Sequence, residues 1–382
     1  MDNLTHSLVG LTAAKLGLER LSPAATPLCV LAANAPDGDI VVLLSGDRWT
    51  FLEHHRGFTH SIIGCLLLAV LLPVLFYGVD RLIAKLRGRP PQVKFWGLLI
   101  ASLIVTATHP LLDWTNNYGI RFLLPWNQRW FYGDFVYIID PFLWLILGGG
   151  VFLLTSRTKL QKLLWALLAA VLTLLVVAGP RAGQLPNPTL IAVIWMVAIV
   201  VVIVLFTIGV RERWGARIAL VSASLAIAYW GALLFAHSRA LVEGSDQAHE
   251  LVKSSGESVA RLVVMPTLAN PLAWDCVFET EAATYRFELN LRSSGPTSKV
   301  VRFPKPNDGL AELLRKVSGD RRAEVFLGFA RFPVAQLADP GCTSQTLVQL
   351  ADLRYTEPGR SRGSFSLELP VDCQNQQLLG RK

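Results

Sequence analysis

Charged residues are scarce in this 382-residue chain, where Asp, Glu, Lys and Arg make up 17% of the sequence and hydrophobic residues 52%. The mean hydropathy of +0.43 is too high for an ordinary soluble protein of this length. Histidine and cysteine are also scarce, with seven and five residues. A cleavable signal peptide is not expected, because the start carries Asp2 and no basic region. The composition therefore predicts a membrane protein.

Six apolar runs have the length of a membrane-spanning helix, which needs roughly 17–25 residues. They are residues 61–79, 95–112, 135–154, 163–178, 190–210 and 216–236. Two shorter segments, 4–18 and 24–35, have a helical pattern of marginal length. We expect an all-α multi-pass membrane protein with about six long spans and a short N-terminal helical hairpin.

The net charge of +8 is concentrated in the apolar part of the chain, because the residues from Ala240 onward hold 17 basic and 17 acidic side chains. Lys and Arg residues collect near Lys15 and Arg20 and in the connections 80–94, 155–162 and 211–217. Basic residues favour cytoplasmic loops. The loops 36–58, 114–134 and 180–189 and the C-terminal part are therefore expected outside the cytoplasm. The charge indicates topology and does not indicate a nucleic-acid partner.

The C-terminal part differs from the rest of the chain. Residues 1–238 form the expected membrane domain, 239–257 a polar linker, and 258–382 an extracytoplasmic α+β or β-rich domain. The pattern of β-branched and aromatic residues between turn residues predicts strands at 258–266, 274–279, 284–292, 324–332, 346–355 and 364–369. It also predicts a helix at 308–317. The domain contains no motif that assigns a function, and it could bind a protein partner.

Three cysteines of this domain, Cys276, Cys342 and Cys373, could form a disulfide in an oxidising compartment. Because their number is odd, the pairing stays open. Cys29 and Cys65 lie in apolar helices, where we expect buried thiols.

Five of the seven histidines lie within the first 113 residues: His6, His54, His55, His60 and His109. Ionisable residues in or beside a membrane span are unfavourable and usually serve binding or chemistry. His109 and Asp113 are four residues apart, so that on a helix both face the same direction and can chelate one ion.

Other metal-type residues are expected on the same membrane face. Asp37 and Asp39 flank Gly38 in a predicted turn, where both carboxylates could point toward a divalent cation. The complete set of candidate ligands is His6, Asp37, Asp39, His55, His60, His109 and Asp113. Seven such residues fit one or two divalent ions, with zinc expected and room for water.

A short sequence echo places two of these histidines in similar surroundings. Thr5-His6-Ser7 matches Thr59-His60-Ser61, and each Thr is expected to cap a helix with the His in its first turn. His6 also shares a helix face with Gly10 and other small residues, which allows another helix to approach closely.

Several neighbours of the candidate ligands have predicted roles of their own. Arg56 is expected as an exposed clamp for an anionic substrate. Asp140 is a catalytic candidate, expected as an acid that orients a ligand His, with a part in a helix break as the alternative. His54 is expected to be solvated or to support the ligands, and either His54 or one of the Asp residues is expected to act as the general base. Asp134 and Thr59 are expected to support the ligands. The loop 114–133, rich in Trp, Arg and Asn, is either an interfacial belt or the mouth of a lipid-level pocket.

These spaced motifs resemble a known family, the bacterial membrane-bound metal-dependent hydrolases of the YdjM-like type. The similarity rests on Thr-His-Ser at the start, Pro36-Asp37-x-Asp39, the segment 55–61 (His-Arg-Gly-x-Thr-His-Ser), and His109-x-x-x-Asp113. Tyr132-Gly133-Asp134 and Ile139-Asp140-Pro141 resemble one branch of the family. The resemblance covers roughly residues 1–155 and implies metal-dependent hydrolysis at the membrane, with the seven candidate ligands above as the metal-binding set.

The expected function is hydrolysis of an ester, above all a phosphoester, of a lipid or lipid-linked molecule at the extracytoplasmic face of the inner membrane. Two alternatives come from other classes. One is a metal or ion transporter, although transporters usually place their site near the bilayer midplane on broken helices. The other is a structural metal clip that anchors the outer domain for a partner.

Overall fold

The computed structural model describes residues 1–182, 188–293, 295, 299–339, 345–360, 363–372 and 377–378. The chain forms two compact units. The first unit contains Met1–Gly38, Arg56–Leu234 and Leu268–Asn270, and the second contains Asp39–His55, Phe235–Thr267 and Pro271–Lys382.

Helices dominate the first 252 residues. They are α1 (Asn3–Lys15), α2 (Ala25–Asn34), α3 (Arg48–His54), α4 (Ile62–Leu86), α5 (Phe95–Trp114), α6 (Pro141–Thr155), α7 (Lys159–Ala182), α8 (Pro188–Thr207), α9 (Val210–Trp214) and α10 (Arg217–Val252). Short 3-10 helices span Leu18–Arg20, Ala35–Leu44 and Phe58–His60.

Six helical segments among the described residues are long and apolar enough to cross a membrane. They are Ala25–Leu44, Ile62–Leu86, Phe95–Trp114, Lys159–Gly179, Thr189–Thr207 and Arg217–Val252. The predicted multi-pass helical architecture is confirmed, although its members differ from the predicted set. The second predicted short segment joins the 3-10 helix that follows it, so that Asp37 lies in a helical turn and not in the expected loop.

The predicted span 135–154 is too long at its start. Helix α6 begins only at Pro141, because the Asp140 side chain accepts hydrogen bonds from the backbone N–H groups of Phe142 and Leu143. Proline suits the first helical turn, where its missing N–H leaves no bond unmade. The resulting helix of 15 residues is shorter than a spanning helix usually requires.

The predicted threonine caps are also wrong. Helix α1 is capped by Asp2, whose carboxylate accepts from the backbone N–H and the hydroxyl of Thr5. Helix α4 is capped by Ser61, which accepts from the N–H of Gly64. Asp and Ser are as good at the cap position as Thr, and in both cases they lie where the backbone leaves its extended conformation.

Close packing of α1 on α2 confirms the expected role of the small residues on α1. A Cβ atom at Gly10 would lie 2.6 Å from the Cys29 carbonyl oxygen. Small buried residues such as Ala14, Ala32 and Ala101 also hold α1, α2 and α5 together. This packing brings the first and fifth helices, which carry candidate ligands, into one bundle.

The second unit contains two four-stranded sheets of orders β1-β2-β3-β4 and β5-β6-β7-β8. The strands are β1 (Arg261–Thr267), β2 (Asn270–Glu279), β3 (Ala283–Asn290), β4 (Val301–Pro304), β5 (Pro333–Leu337), β6 (Gln345–Asp352), β7 (Ser366–Asp372) and β8 (Gln377–Leu378). Neighbouring strands pair antiparallel, with Cys276 opposite Phe287 and Val348 opposite Leu369. The β-containing C-terminal domain is therefore confirmed.

Two helices lie between the two sheets in the sequence of the described residues. Helix α11 (Asp308–Val317) lies where it was predicted, whereas the predicted strand 324–332 is wrong, because helix α12 (Arg321–Phe329) occupies most of it. Asp320 caps α12 by accepting from the N–H of Arg322. This cap sets the start of α12, just before the residues in which apolar and polar side chains are mixed.

The predicted linker 239–257 is mostly helical, because α10 continues to Val252. Ala240, Ala248 and Val252 are buried in a cluster with Trp274 and Phe287, so that this end of α10 belongs to the core of the second unit. Cys276 is a buried free thiol. Cys342, Cys373 and residues 183–187 of the predicted outer loop lie outside the described residues.

Candidate metal centre

Four predicted ligands of the first unit form one compact cluster: Asp37, His60, His109 and Asp113. Oδ1 of Asp37 lies 3.2 Å from Nε2 of His60 and 3.6 Å from Nε2 of His109. Oδ2 of Asp113 lies 3.4 Å from each of the same two nitrogens. The expected chelating pair, four residues apart on α5, is therefore part of this cluster.

These distances are those of atoms that share one metal ion. Ligand atoms about 2.0–2.1 Å from a tetrahedral ion are separated from each other by about 3.3 Å. Nε2 of His109 and Oδ2 of Asp113 are also buried without a hydrogen-bond partner, which is unfavourable unless an ion or water satisfies them. Two imidazoles and two carboxylates suit zinc and similar divalent ions. The cluster therefore fits a divalent metal.

Both histidines of the cluster are oriented through their other ring nitrogen. Nδ1 of His109 lies 2.6 Å from the carbonyl oxygen of Ala33 and donates to it. Nδ1 of His60 lies 3.1 Å from the hydroxyl of Thr59. With a proton on Nδ1, the lone pair of each Nε2 faces the cluster, as in metal sites whose ligands are held by a second hydrogen bond. The Thr59 hydroxyl thus lies next to a cluster histidine, and its supporting role stays a prediction.

His6 lies beside the cluster. Its ring stacks on His109 with centroids 3.8 Å apart and planes inclined by 14°. Its Nε2 is 3.4 Å from Oδ1 of Asp113, and neither ring nitrogen has a hydrogen-bond partner. His6 therefore lies next to His109 and to Oδ1 of Asp113, and its role as a further ligand stays a prediction.

Arg56 is not the exposed clamp that was predicted, because only 2% of it is accessible. Its Nη2 lies 3.1 Å from Oδ1 of Asp113. Its Nη1 donates to Oδ1 of Asn116 at 2.9 Å and to the carbonyl of Gly119 at 3.3 Å. The guanidinium also stacks over Tyr118, 4.6 Å from the ring centroid. Arg56 therefore balances the charge of a cluster carboxylate instead of facing an open site.

The backbone of Arg56 supports this inward position. Its φ of 53° lies in the left-handed region, which non-glycine residues rarely adopt and which surrounding contacts must hold in place. Oδ1 of Asp113 also contacts the amino group of Met1. Asp113 thus faces His60 and His109 with Oδ2, and His6 and two cationic groups with Oδ1.

Asp39 and His55 belong to the second unit, where they contact each other. Nδ1 of His55 lies 3.1 Å from Oδ1 of Asp39. His54 is exposed on α3, where its Nδ1 donates to the carbonyl of Thr50 at 2.8 Å. The metal-binding role of Asp39 and His55 and the catalytic role of His54 stay predictions.

Of the two roles considered for Asp140, its contacts support the structural one. It caps α6 with Oδ1 and accepts a 2.9 Å hydrogen bond from the Tyr229 hydroxyl with Oδ2. This favours the helix-break alternative over an acid that orients a ligand histidine. Asp134 is buried with a φ of 60°, and its supporting role stays a prediction.

Sequence reasoning missed part of the surroundings of the cluster. Asn116 and Tyr118 were assigned only to a Trp-rich loop, yet both hold Arg56. Within that loop Ile120 and Phe131 pair as an antiparallel bridge. The Ala33 carbonyl leaves no signal in sequence, whereas an Asn three residues after Asp113 could have suggested a polar network.

The chain is thus a multi-pass inner membrane protein with a buried His/Asp cluster in its first unit. Residues 1–182, which contain the whole cluster, match the model of the family described as YdjM inner membrane protein. This part of the chain is therefore similar to the YdjM inner membrane protein family, in agreement with the resemblance of the motifs.

Two relatives extend the comparison. The chain is 28% identical over 155 residues to the uncharacterized protein YfhP of Bacillus subtilis (strain 168), a match that covers 38% of this chain and 43% of YfhP. It is 29% identical over 143 residues to the inner membrane protein YbcI of Escherichia coli (strain K12), covering 36% of this chain and 76% of YbcI. The chain therefore spans less than half of YfhP. No solved structure matches the chain significantly.

Proposed function

We propose that this protein is a membrane-bound metal-dependent hydrolase that acts on a phosphoester of a lipid or lipid-linked molecule. The observation that carries the proposal is the cluster of Asp37, His60, His109 and Asp113, whose ligand atoms have the mutual distances of a single coordination sphere. Its location among apolar helices favours a substrate that reaches it from the bilayer.

Several residues of the chain would have separate roles in such a site. A divalent ion held by the cluster would polarise the phosphoryl group and acidify the attacking water. Ala33 and Thr59 keep the two imidazoles aimed at the ion. Arg56 balances the charge of Asp113. Asp37 is the cluster residue with the greatest side-chain exposure, 13%, and we assign it the contact with incoming water. His54 is the alternative general base.

A structural metal clip is the second candidate, and the burial of the cluster favours it. The side chains of His60 and His109 have no accessible surface, and that of Asp113 has 1%. A closed site with four protein ligands is typical of structural zinc, whereas a catalytic site keeps one position for water or substrate. The two functions differ in whether solvent exchanges at the metal.

We place the C-terminal domain on the extracytoplasmic side. The distribution of Lys and Arg supports this orientation. A contact inside the second unit supports one part of it: Arg321 of α12 pairs with Glu53 of α3, with Nη2 and Oε2 2.8 Å apart. The loop that contains α3 and the C-terminal domain therefore share one side of the membrane. A reporter fused after Lys382 should be active only in the periplasm, and cytoplasmic activity would overturn the orientation.

The function is tested with the full-length protein in lipid nanodiscs. Phospholipids and generic phosphoesters are screened for hydrolysis with and without a chelator, and bound metal is measured by elemental analysis. We expect about one or two divalent ions per chain and hydrolysis that stops on chelation and returns when metal is added.

Substitutions separate the cluster from the other histidines. His60→Ala should lose both metal and hydrolysis, because it removes one of the four ligands of the cluster. His249→Ala is the matched control, since His249 is exposed at the end of α10 and bonds only within its helix. Metal that stays bound but supports no hydrolysis, with no exchangeable water by relaxation measurements, would favour the structural clip.

A further inference from the structure

A cavity of about 280 Å³ lies in the first unit between α1, α6, α7 and α8. Its walls include Leu8, Gly149, Ala169 and Trp195, and Lys162 lies among its lining residues. The volume is near the lower end of the range for small-molecule sites, roughly 300–1,000 Å³.

The chemistry of the walls restricts the occupant. The indole N–H of Trp165 donates to Thr155 and that of Trp195 donates to Thr173, at 3.0 and 2.9 Å. Both rings therefore present apolar surface to the cavity, because their single donors are already used. A ligand that fills this space must be apolar along its length.

Lys162 introduces charge at one place in this lining. Its Nζ lies 5.2 Å from the ring centroid of Phe206, a cation–π contact that holds the ammonium at the cavity. Arg157 and Lys159 precede it, and residues 155–162 contain no acidic side chain. Opposite charge at the end of an apolar ligand would be favourable here, by about 1 kcal/mol for each basic residue near a lipid headgroup.

We propose that this cavity binds one acyl chain of an anionic phospholipid whose headgroup lies at Lys162. The alternative occupants are a zwitterionic lipid, whose own cation offsets its phosphate beside the ammonium, and an apolar side chain of a second protein, which offers the ammonium no opposite charge. The cavity also touches Leu4 and Leu8 of α1, the helix that carries His6. The bound chain would therefore pack against that helix, and the proposal stands whether or not the protein is a hydrolase.

The test uses photoreactive lipids in nanodiscs that contain the full-length protein. Phosphatidylglycerol and phosphatidylcholine probes carry the same diazirine-labelled acyl chain, and crosslinks are mapped by mass spectrometry. In the unmodified protein, we expect phosphatidylglycerol to label the cavity about fivefold more than phosphatidylcholine, the ratio given by one lysine near the headgroup. Equal labelling by the two probes would overturn the proposal.

Three variants refine the result. Ala169→Phe fills the cavity and should remove its labelling by both probes, whereas Ala170→Phe should not, because Ala170 is exposed on the same helix and does not line the cavity. Lys162→Gln alters only an exposed side chain, so that folding is not at risk, and it should lower phosphatidylglycerol labelling to the phosphatidylcholine value. Unchanged lipid preference in Lys162→Gln, or unchanged cavity labelling in Ala169→Phe, would refute the proposal.

Discussion

Replacement of Arg56 by Met tests whether the metal cluster depends on a buried counter-charge. The substitution removes the 3.1 Å ion pair with Asp113, the 2.9 Å hydrogen bond to Asn116 and the stacking on Tyr118, at a site with 2% exposure. Removing one partner of a buried ion pair destabilises a protein by about 3–5 kcal/mol, mainly because the other charge is left uncompensated. For a chain of 382 residues, whose unfolding entropy is about 0.8 kcal/mol/K, we expect the melting temperature to fall by about 4–6 °C.

The effect of bound metal on this loss of stability tests the charge argument. A divalent ion supplies positive charge beside Asp113, so that the loss should be smaller in the metal-loaded protein than after chelation. Melting is followed by tryptophan fluorescence in nanodiscs with and without metal. Arg121→Met is the matched control, because Arg121 stacks on Trp130 at 4.6 Å in the same loop but is only partly buried, and it should cost about 1 kcal/mol. An equal loss in the metal-loaded and chelated proteins would refute the charge argument.

Three further predictions concern the support of the site and the second unit. Thr59→Val removes the hydroxyl next to His60 and should weaken metal binding about 10–100-fold in chelator competition, whereas Thr59→Ser should preserve it. Gly10→Val would push a side chain into the α2 backbone and should destabilise the protein by about 1–3 kcal/mol; Gly78→Val, where a Cβ meets nothing, should melt normally. Trp49→Ala removes a buried anchor of α3 and should cost about 3–5 kcal/mol and expose the loop to proteases. Arg321→Ala breaks an exposed pair and should cost under about 1 kcal/mol; equal losses in these last two would contradict the anchor role.

The cluster could be predicted because its signal is local and strong. Histidines and carboxylates are rare beside membrane spans, and the four-residue spacing of His109 and Asp113 places both on one face of a helix. Asp37, His60 and His6 could be added because the alternation of basic loops places their segments on one membrane face. Five of the seven predicted ligands lie together in the first unit.

The position of Arg56 could not be predicted, because it depends on contacts with residues far along the chain. Asn116 is 60 residues away and the Gly119 carbonyl 63. A sequence pattern shows that a guanidinium is near the ligands but not whether it faces solvent or a buried carboxylate. The prediction of an exposed clamp assumed that Arg56 is exposed, as most Arg residues are. In the folded chain Arg56 is buried.

The helix boundaries were wrong where a cap opposes the hydropathy pattern. The apolar run continues through residues 135–154, yet Asp140 and Pro141 start α6 in its middle. In the C-terminal domain, residues 324–332 mix apolar and polar residues in a way that fits a strand or a short helix. Asp320 favours the helix because it caps the N-terminus of α12. A cap residue at this position is a sequence signal for a helix start, and it would have corrected the predicted strand.

The charges around Asp113 bear on the choice between a phosphoester and a neutral ester as substrate. Asp37 and Asp113 contribute two negative charges, and Arg56 returns one positive charge through its pair with Asp113. With a divalent ion bound, this set carries a net positive charge even before the Met1 amino group beside it is counted. With its two carboxylates alone, a site that holds a divalent ion would be neutral, so that Arg56 is the source of the excess. A site that is completed by an anionic substrate needs this positive excess, because the phosphate then compensates it in a medium of low dielectric constant. For the hydrolase that we propose, the buried Arg56 therefore favours a phosphoester over an uncharged ester.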